Sequence, residues 1–181
     1  MKNYNLIYLV VSIFLMSSCA NVEKMVDQGN YDQALEVATR KLAGKKNKKT
    51  KYVQAAEEAF AKVTRRDMDR ITQLKARNSV DDWERIYTIS NTILRRQNNI
   101  QPLLPLLDKE GYHANFKFVK AELIKAQAGT RLANMYTDLG MEAIAIGRMN
   151  NKLAARDAYD YFSGVLKYRP DDRNAQSLRN E

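Results

Sequence analysis

Apolar residues recur along this chain at steps of three and four, and strand-like alternation is nearly absent. Tyr31, Ala34, Leu35, Ala38 and Leu42 form one such stripe and predict a helix over 31–43, with Gly44 as its C-terminal cap. Val53, Ala56, Phe60, Val63, Ile71 and Leu74 predict a longer helix over about 50–75. Asp67 falls where that stripe calls for an apolar side chain, so a bend is expected near Arg66. Ser79 followed by Asp82 resembles a capping box. The helix it opens carries Trp83, Ile86, Tyr87, Ile93 and Leu94 on one face and is expected to end near Gln97.

Residues 100–107 hold two prolines three apart, which excludes regular helix there. Their apolar character predicts a connector buried against the body. Tyr112, Ala114, Phe116 and Phe118 alternate and suggest a short extended piece. Helical spacing returns from about Val119 through Leu123, Ala126, Leu132, Met135, Leu139 and Ile144, with an interruption expected at Gly140. Asn150-Asn151 reads as a turn, 152–168 as a full helix stopped by Pro170, and 171–181 as the start of one more. The expected fold class is all-α, built of irregular antiparallel helical hairpins.

The first residues follow another logic. Lys2 precedes an apolar run from Leu6 to Met16 that only Ser12 interrupts, and Ser17-Ser18 leads to Cys19, the sole cysteine. The run is shorter than the roughly 20 apolar residues a membrane-spanning helix needs. Its layout is that of a cleavable export signal. Leu15-Met16-Ser17-Ser18-Cys19 resembles the lipobox of bacterial lipoproteins, with Met16 where a small aliphatic residue is usual. The resemblance implies that the thiol of Cys19 receives a diacylglycerol and that cleavage leaves this cysteine first. The expected organisation is a signal over 1–18, a mostly polar lipid-proximal segment over 19–28 and a helical domain over 29–181. No cysteine would remain for a disulfide or a thiolate metal site. Ala20 is not the Asp that retains lipoproteins at the inner membrane in the best-known rule, so the resemblance implies the cell envelope, at the outer membrane.

A repeat resemblance lies further along. Ala158, Phe162, Val165 and Pro170 match the second helix of a tetratricopeptide repeat, where small residues mark a helix crossing and a bulky one lies between them. Tyr136, Gly140 and Ile144 resemble its preceding helix, and Gly29, Tyr31, Ala34 and Leu35 the start of another copy. At that copy Ala38 and Lys46 depart from the aromatic and the proline of the pattern. Ala34 and Ala158 are not a whole number of ~34-residue repeats apart, so the array is expected to be irregular. A signal of this type before divergent repeats is similar to lipoproteins of the Bacteroidetes lineage.

Charge narrows the partner classes. The net charge is +9, and a large part of it lies in Lys41, Lys45, Lys46, Lys48, Lys49 and Lys51, with no acid between them. A run this local points to a basic loop on a nearly balanced domain, unlike the broad basic surface of a nucleic-acid binder. Lys45, Lys46, Lys48, Lys49 and Lys51 are candidates for contact with an anionic lipid surface, beside the alternative of a solvated loop. Only Tyr52 adjoins the run, so the interleaved aromatics that stack on single-stranded nucleic acid are missing.

Catalytic signals are sparse. His113 is the only histidine, and no Gly-rich phosphate loop, CxxC or HExxH is present. Glu57-Glu58, Asp81-Asp82 and Asp171-Asp172 are paired carboxylates. Helix-end electrostatics suffices for the last two. No cofactor or metal is expected. Tyr159 and Tyr161 are candidates for a partner-binding surface, because stacked helices present concave grooves. The function expected is a lipid-anchored, non-catalytic scaffold or accessory subunit holding an envelope protein. The alternative is a glycan- or peptidoglycan-directed module or enzyme using carboxylates on the helical frame.

Overall fold

A computed structural model describes residues 22–181; the signal, Cys19 and the first residues of the lipid-proximal segment lie outside the described residues. Seven α-helices carry the described chain: α1 Val22–Asp27, α2 Tyr31–Leu42, α3 Thr50–Arg77, α4 Val80–Ile100, α5 Ala121–Gly147, α6 Lys152–Tyr168 and α7 Arg173–Asn180. The fold is all-α, with no strand among the described residues; a lone bridge joins Leu107 to His113. Two units share the chain. The described part of the first is 22–63 with Asn99–Lys117, and the second is Thr64–Asn98 with Phe118–Glu181.

In the first unit, α1 and α2 form a hairpin. Gly29 at φ +76° turns the chain, and the amide of Asn30 donates to the Met25 carbonyl at 2.8 Å. Residues 22–27, expected as a polar lead-in, are helical because Val22 and Val26 are four apart and both buried. They join Ala34, Leu35, Ala38 and Leu42 of α2, and Val53, Ala56, Phe60 and Val63 of α3, in one core. The connector 100–107 is only half as buried as its composition suggests. Ile100 and Leu106 enter this core, while Leu104 and Leu107 remain exposed. The following segment forms no strand. Phe116 leaves it to meet Phe60 edge-on, ring centroids 5.3 Å apart. The Glu57 carboxylate fixes the same segment, accepting from the Tyr112 hydroxyl and, at 2.9 Å, from the Asn115 amide.

In the second unit, α3 is not interrupted near Arg66 and continues to Arg77. Asp67 is the reason. Its carboxylate is nearly buried and pairs at 2.5 Å with the Arg96 guanidinium of α4, itself only 12% exposed. Ser79 starts α4 as its spacing predicts, its hydroxyl accepting the Asp82 amide at 3.1 Å and donating to the Asp82 carboxylate at 2.7 Å. The helix runs three residues past Gln97, whose side-chain oxygen accepts the Val119 amide.

Helix α5 is unbroken at Gly140 and buries only part of the expected stripe, Leu132 and Ile144, with Met135 and Leu139 half-buried. Leu123 and Ala126 face solvent, while Ala128, Gly129, Leu132, Ala133, Gly140, Ala143 and Ile144 are buried. Small residues on this face let aromatic rings approach the helix backbone. A β-carbon on Gly129 would touch Tyr87 and Tyr168, and on the facing α6 one on Gly164 would stand 3.0 Å from Tyr136 of α5. Helix α6 keeps its expected bounds. Asn151 caps it by accepting the amides of Leu153 and Ala154, and Ala158, Phe162 and Val165 are buried. Asp172 caps α7 in the same way through the Ala175 amide.

Candidate functional site

The lysine loop lies between α2 and α3 in the first unit. Gly44 adopts φ +67°, a left-handed conformation that terminates α2 and turns the chain outward. Lys45, Lys46, Lys49 and Lys51 are exposed and Lys48 is half-buried. The amide of Lys109 donates to the Lys48 carbonyl at 3.0 Å, which brings another lysine beside the run. Among the described residues none of the five has an acidic partner; the Lys51 ammonium lies 5.3 Å from the Tyr52 ring centre. The loop is a free cationic edge.

Tyr159 and Tyr161 are two positions apart on α6 and go to different places. Tyr159 is 52% exposed, with the Arg179 guanidinium 5.8 Å over its ring. Tyr161 is half-buried and leans on Tyr136, with ring centroids 6.4 Å apart.

The most connected polar group of the second unit is one the sequence does not single out, Glu84 on α4. Its Oε1 accepts from the Tyr168 hydroxyl at 3.0 Å, the Tyr136 hydroxyl at 3.2 Å and the Lys167 ammonium at 3.2 Å. Burial is the largest single influence on this carboxyl and acts upward. The donors outweigh it together and hold the group below its ordinary value. Burial, reinforced by the Glu84 charge, pushes Tyr136 up to about 12. The Tyr136 and Tyr168 rings stack at 6.3 Å, and Tyr87 meets Tyr168 edge-on at 5.2 Å. One local cue existed: an acid at 84 on the edge of the stripe through Trp83 and Tyr87. Its partners lie 52 to 84 residues away, so only the tertiary fold identifies them.

Beside this node is an open depression of about 550 Å³ lined by Arg70, Asp81, Glu84, Arg85, Thr88 and Ile89. Arg70, Asp81 and Arg85 are exposed. The depression offers charges of both signs to a polar surface.

One member of each acidic pair is engaged in holding the fold. Glu57 ties down residues 112–115, Asp82 is bound by Arg77 and Ser79, and Asp172 caps α7. His113 is exposed at the lone bridge. Among the described residues no group of three His, Cys, Asp or Glu side chains is placed to hold a metal ion, and no helix is long and apolar enough to cross a membrane. Compared with family models, with curated proteins and with solved structures, the chain matches none.

Proposed function

We propose that the protein is a lipid-anchored, non-catalytic helical scaffold of the bacterial cell envelope, attached through Cys19 and holding a protein partner. The observation that carries this reading is the junction between signal and fold. Val22 is already a core residue, 1% exposed. Three residue steps separate it from Cys19, a span of at most ~10 Å. An acyl chain on that thiol holds the first unit at the headgroup layer.

The lysine loop supports the same arrangement. A connection as short as 28–30 folds α2 back along α1. Helix α2 has twelve residues against six in α1, so its C-terminal end passes the level of Val22. Lys45, Lys46, Lys48, Lys49 and Lys51 then emerge at the end of the unit that bears the anchor. Each basic residue near an anionic leaflet contributes about 1 kcal/mol.

The repeat-like character rests on the α5–α6 pair, where Gly140, Ile144, Ala158, Phe162 and Val165 are buried together. The exposed Tyr159 and the depression beside Glu84 are the surfaces assigned to the partner. The engagement of Glu57, Asp82 and Asp172 in structural bonds favours scaffold over glycan-directed enzyme. Cys19→Ser tests the anchor: it is expected to remove the acyl mass and to move the protein from the salt-resistant membrane fraction to one that high salt releases. Unchanged fractionation and mass would refute it. Crosslinking in cells followed by mass spectrometry tests the scaffold role, which a protein with no recurrent companion would contradict.

A further inference from the structure

The turn joining α5 to α6 carries the most exposed large apolar side chains among the described residues. Met149 is 74% and Leu153 70% exposed, and Ile146 beside them is 40% exposed. A β-carbon on Gly147 would stand 3.0 Å from the Ala155 backbone, so the two helices converge here into a narrow tip. Asn150 turns the chain at φ +68°, between Met149 and Leu153. A tip that projects apolar side chains suits a deformable apolar medium better than a rigid pocket.

Its own sequence is cationic: Arg148, Lys152 and Arg156 lie in it, and no carboxylate lies in sequence between Glu142 and Asp157. Glu181 pairs with Arg148 at 2.6 Å. Lys152 and Arg156 have no partner among the described residues. Exposed apolar side chains beside two long unpaired cationic ones are the composition of an interfacial membrane contact. The apolar groups enter the acyl boundary while the cations stay with the phosphates.

We infer that the α5–α6 tip inserts Met149 and Leu153 into an anionic lipid bilayer, with Lys152 and Arg156 on the headgroup phosphates. This contact belongs to the second unit, is separate from the lysine loop and does not depend on acylation of Cys19.

The test uses the full chain carrying Cys19→Ser, which removes the only native thiol, and Met149→Cys labelled with an environment-sensitive fluorophore. A second chain carries the label at Leu153→Cys, with Met149 intact, and a control carries it at the exposed Asn174→Cys. Each is mixed with vesicles of phosphatidylcholine alone or with added phosphatidylglycerol. On anionic vesicles the labels at 149 and 153 are expected to be quenched by acyl-chain nitroxides and shielded from aqueous iodide, while the label at 174 stays open to iodide. Lys152→Glu with Arg156→Glu is expected to weaken binding to the anionic vesicles by at least about thirtyfold, the loss of two cation–headgroup attractions before any repulsion is counted. Iodide access at 149 and 153 on anionic vesicles, or no vesicle binding, would overturn the proposal. So would iodide shielding without nitroxide quenching, which would make the occupant a second copy of the chain. All these chains lack the Cys19 thiol, so the result is independent of the fractionation test of the anchor.

Discussion

The ring of Phe162 occupies the space that a β-carbon on Gly140 would need: that atom would stand 2.9 Å from both Cε1 and Cζ of the ring. Phe162 is fully buried, so the ring has little room to withdraw. Gly140→Ala brings a helix-propensity gain of about 1 kcal/mol against an overpacking penalty of about 1–3 kcal/mol. Net destabilisation is expected in urea unfolding, and the smaller Phe162→Leu on the same chain is expected to recover part of it. If Gly140→Ala alone stabilises the protein, the contact is looser than described.

Asp67 and Arg96 bridge α3 and α4 with both side chains nearly buried. Removing one partner takes away the principal bond of the other, while the Arg66 guanidinium still reaches Asp67 at 3.1 Å, so Asp67→Leu and Arg96→Met are each expected to destabilise by about 1–3 kcal/mol. The double variant is expected to lie near the parent, because an apolar pair of similar volume replaces the ion pair. A double-variant cycle in chemical denaturation measures the coupling directly.

The Glu84 node gives the second unit a pH signature at both ends. Glu84 is held below its ordinary value of 4.5. Its contribution is present above that value and is lost as pH falls through the folded-state pKa. Tyr136 titrates near 12 in the folded protein instead of 10. The native state therefore binds more protons than the unfolded state between these values, and stability falls as pH rises across that window. Absorbance titration of the tyrosines is expected to show a late component, and Glu84→Gln to shift it downward. A single transition near 10 for every tyrosine would contradict the burial of this group.

Asn151 accepts two amides at the start of α6. Asn151→Ala is expected to lower stability by about 1 kcal/mol, and Asn151→Asp to restore most of it. Thermal unfolding followed by circular dichroism resolves a difference of this size.

These contacts also explain what the sequence made legible. Helix α6 was readable to the residue because its signals are local: a capping Asn151, a stripe through Ala158, Phe162 and Val165, and a stop at Pro170. The capping pair Ser79 and Asp82 was readable for the same reason. Asp67 misled because its partner lies 29 residues away, and a charge in an apolar stripe looks like a break until that partner is known. On α5 the spacing finds Leu132 and Ile144 but also picks Leu123 and Ala126, which are exposed, because the rest of the buried face is made of small residues. There Gly129 and Gly140 matter for the rings they admit, which no spacing rule specifies. Helix α1 is not legible in the sequence because two valines are too few to form a stripe. The lysine run was visible as a charge pattern, whereas Lys109 joins it only through a backbone hydrogen bond.

The chain passes from one unit to the other after Val63, after Asn98 and after Lys117. Each unit is thus assembled from two separated stretches, and no single cut in the covalent backbone frees either one intact. During synthesis, residues 64–98 emerge before 118–181 and must wait for them, with the Glu84 carboxylate hydrated until Tyr136, Lys167 and Tyr168 arrive. Gene fragments ending inside this interval are therefore poor candidates for autonomous expression. A swap between relatives that respects the fold must exchange two stretches at once.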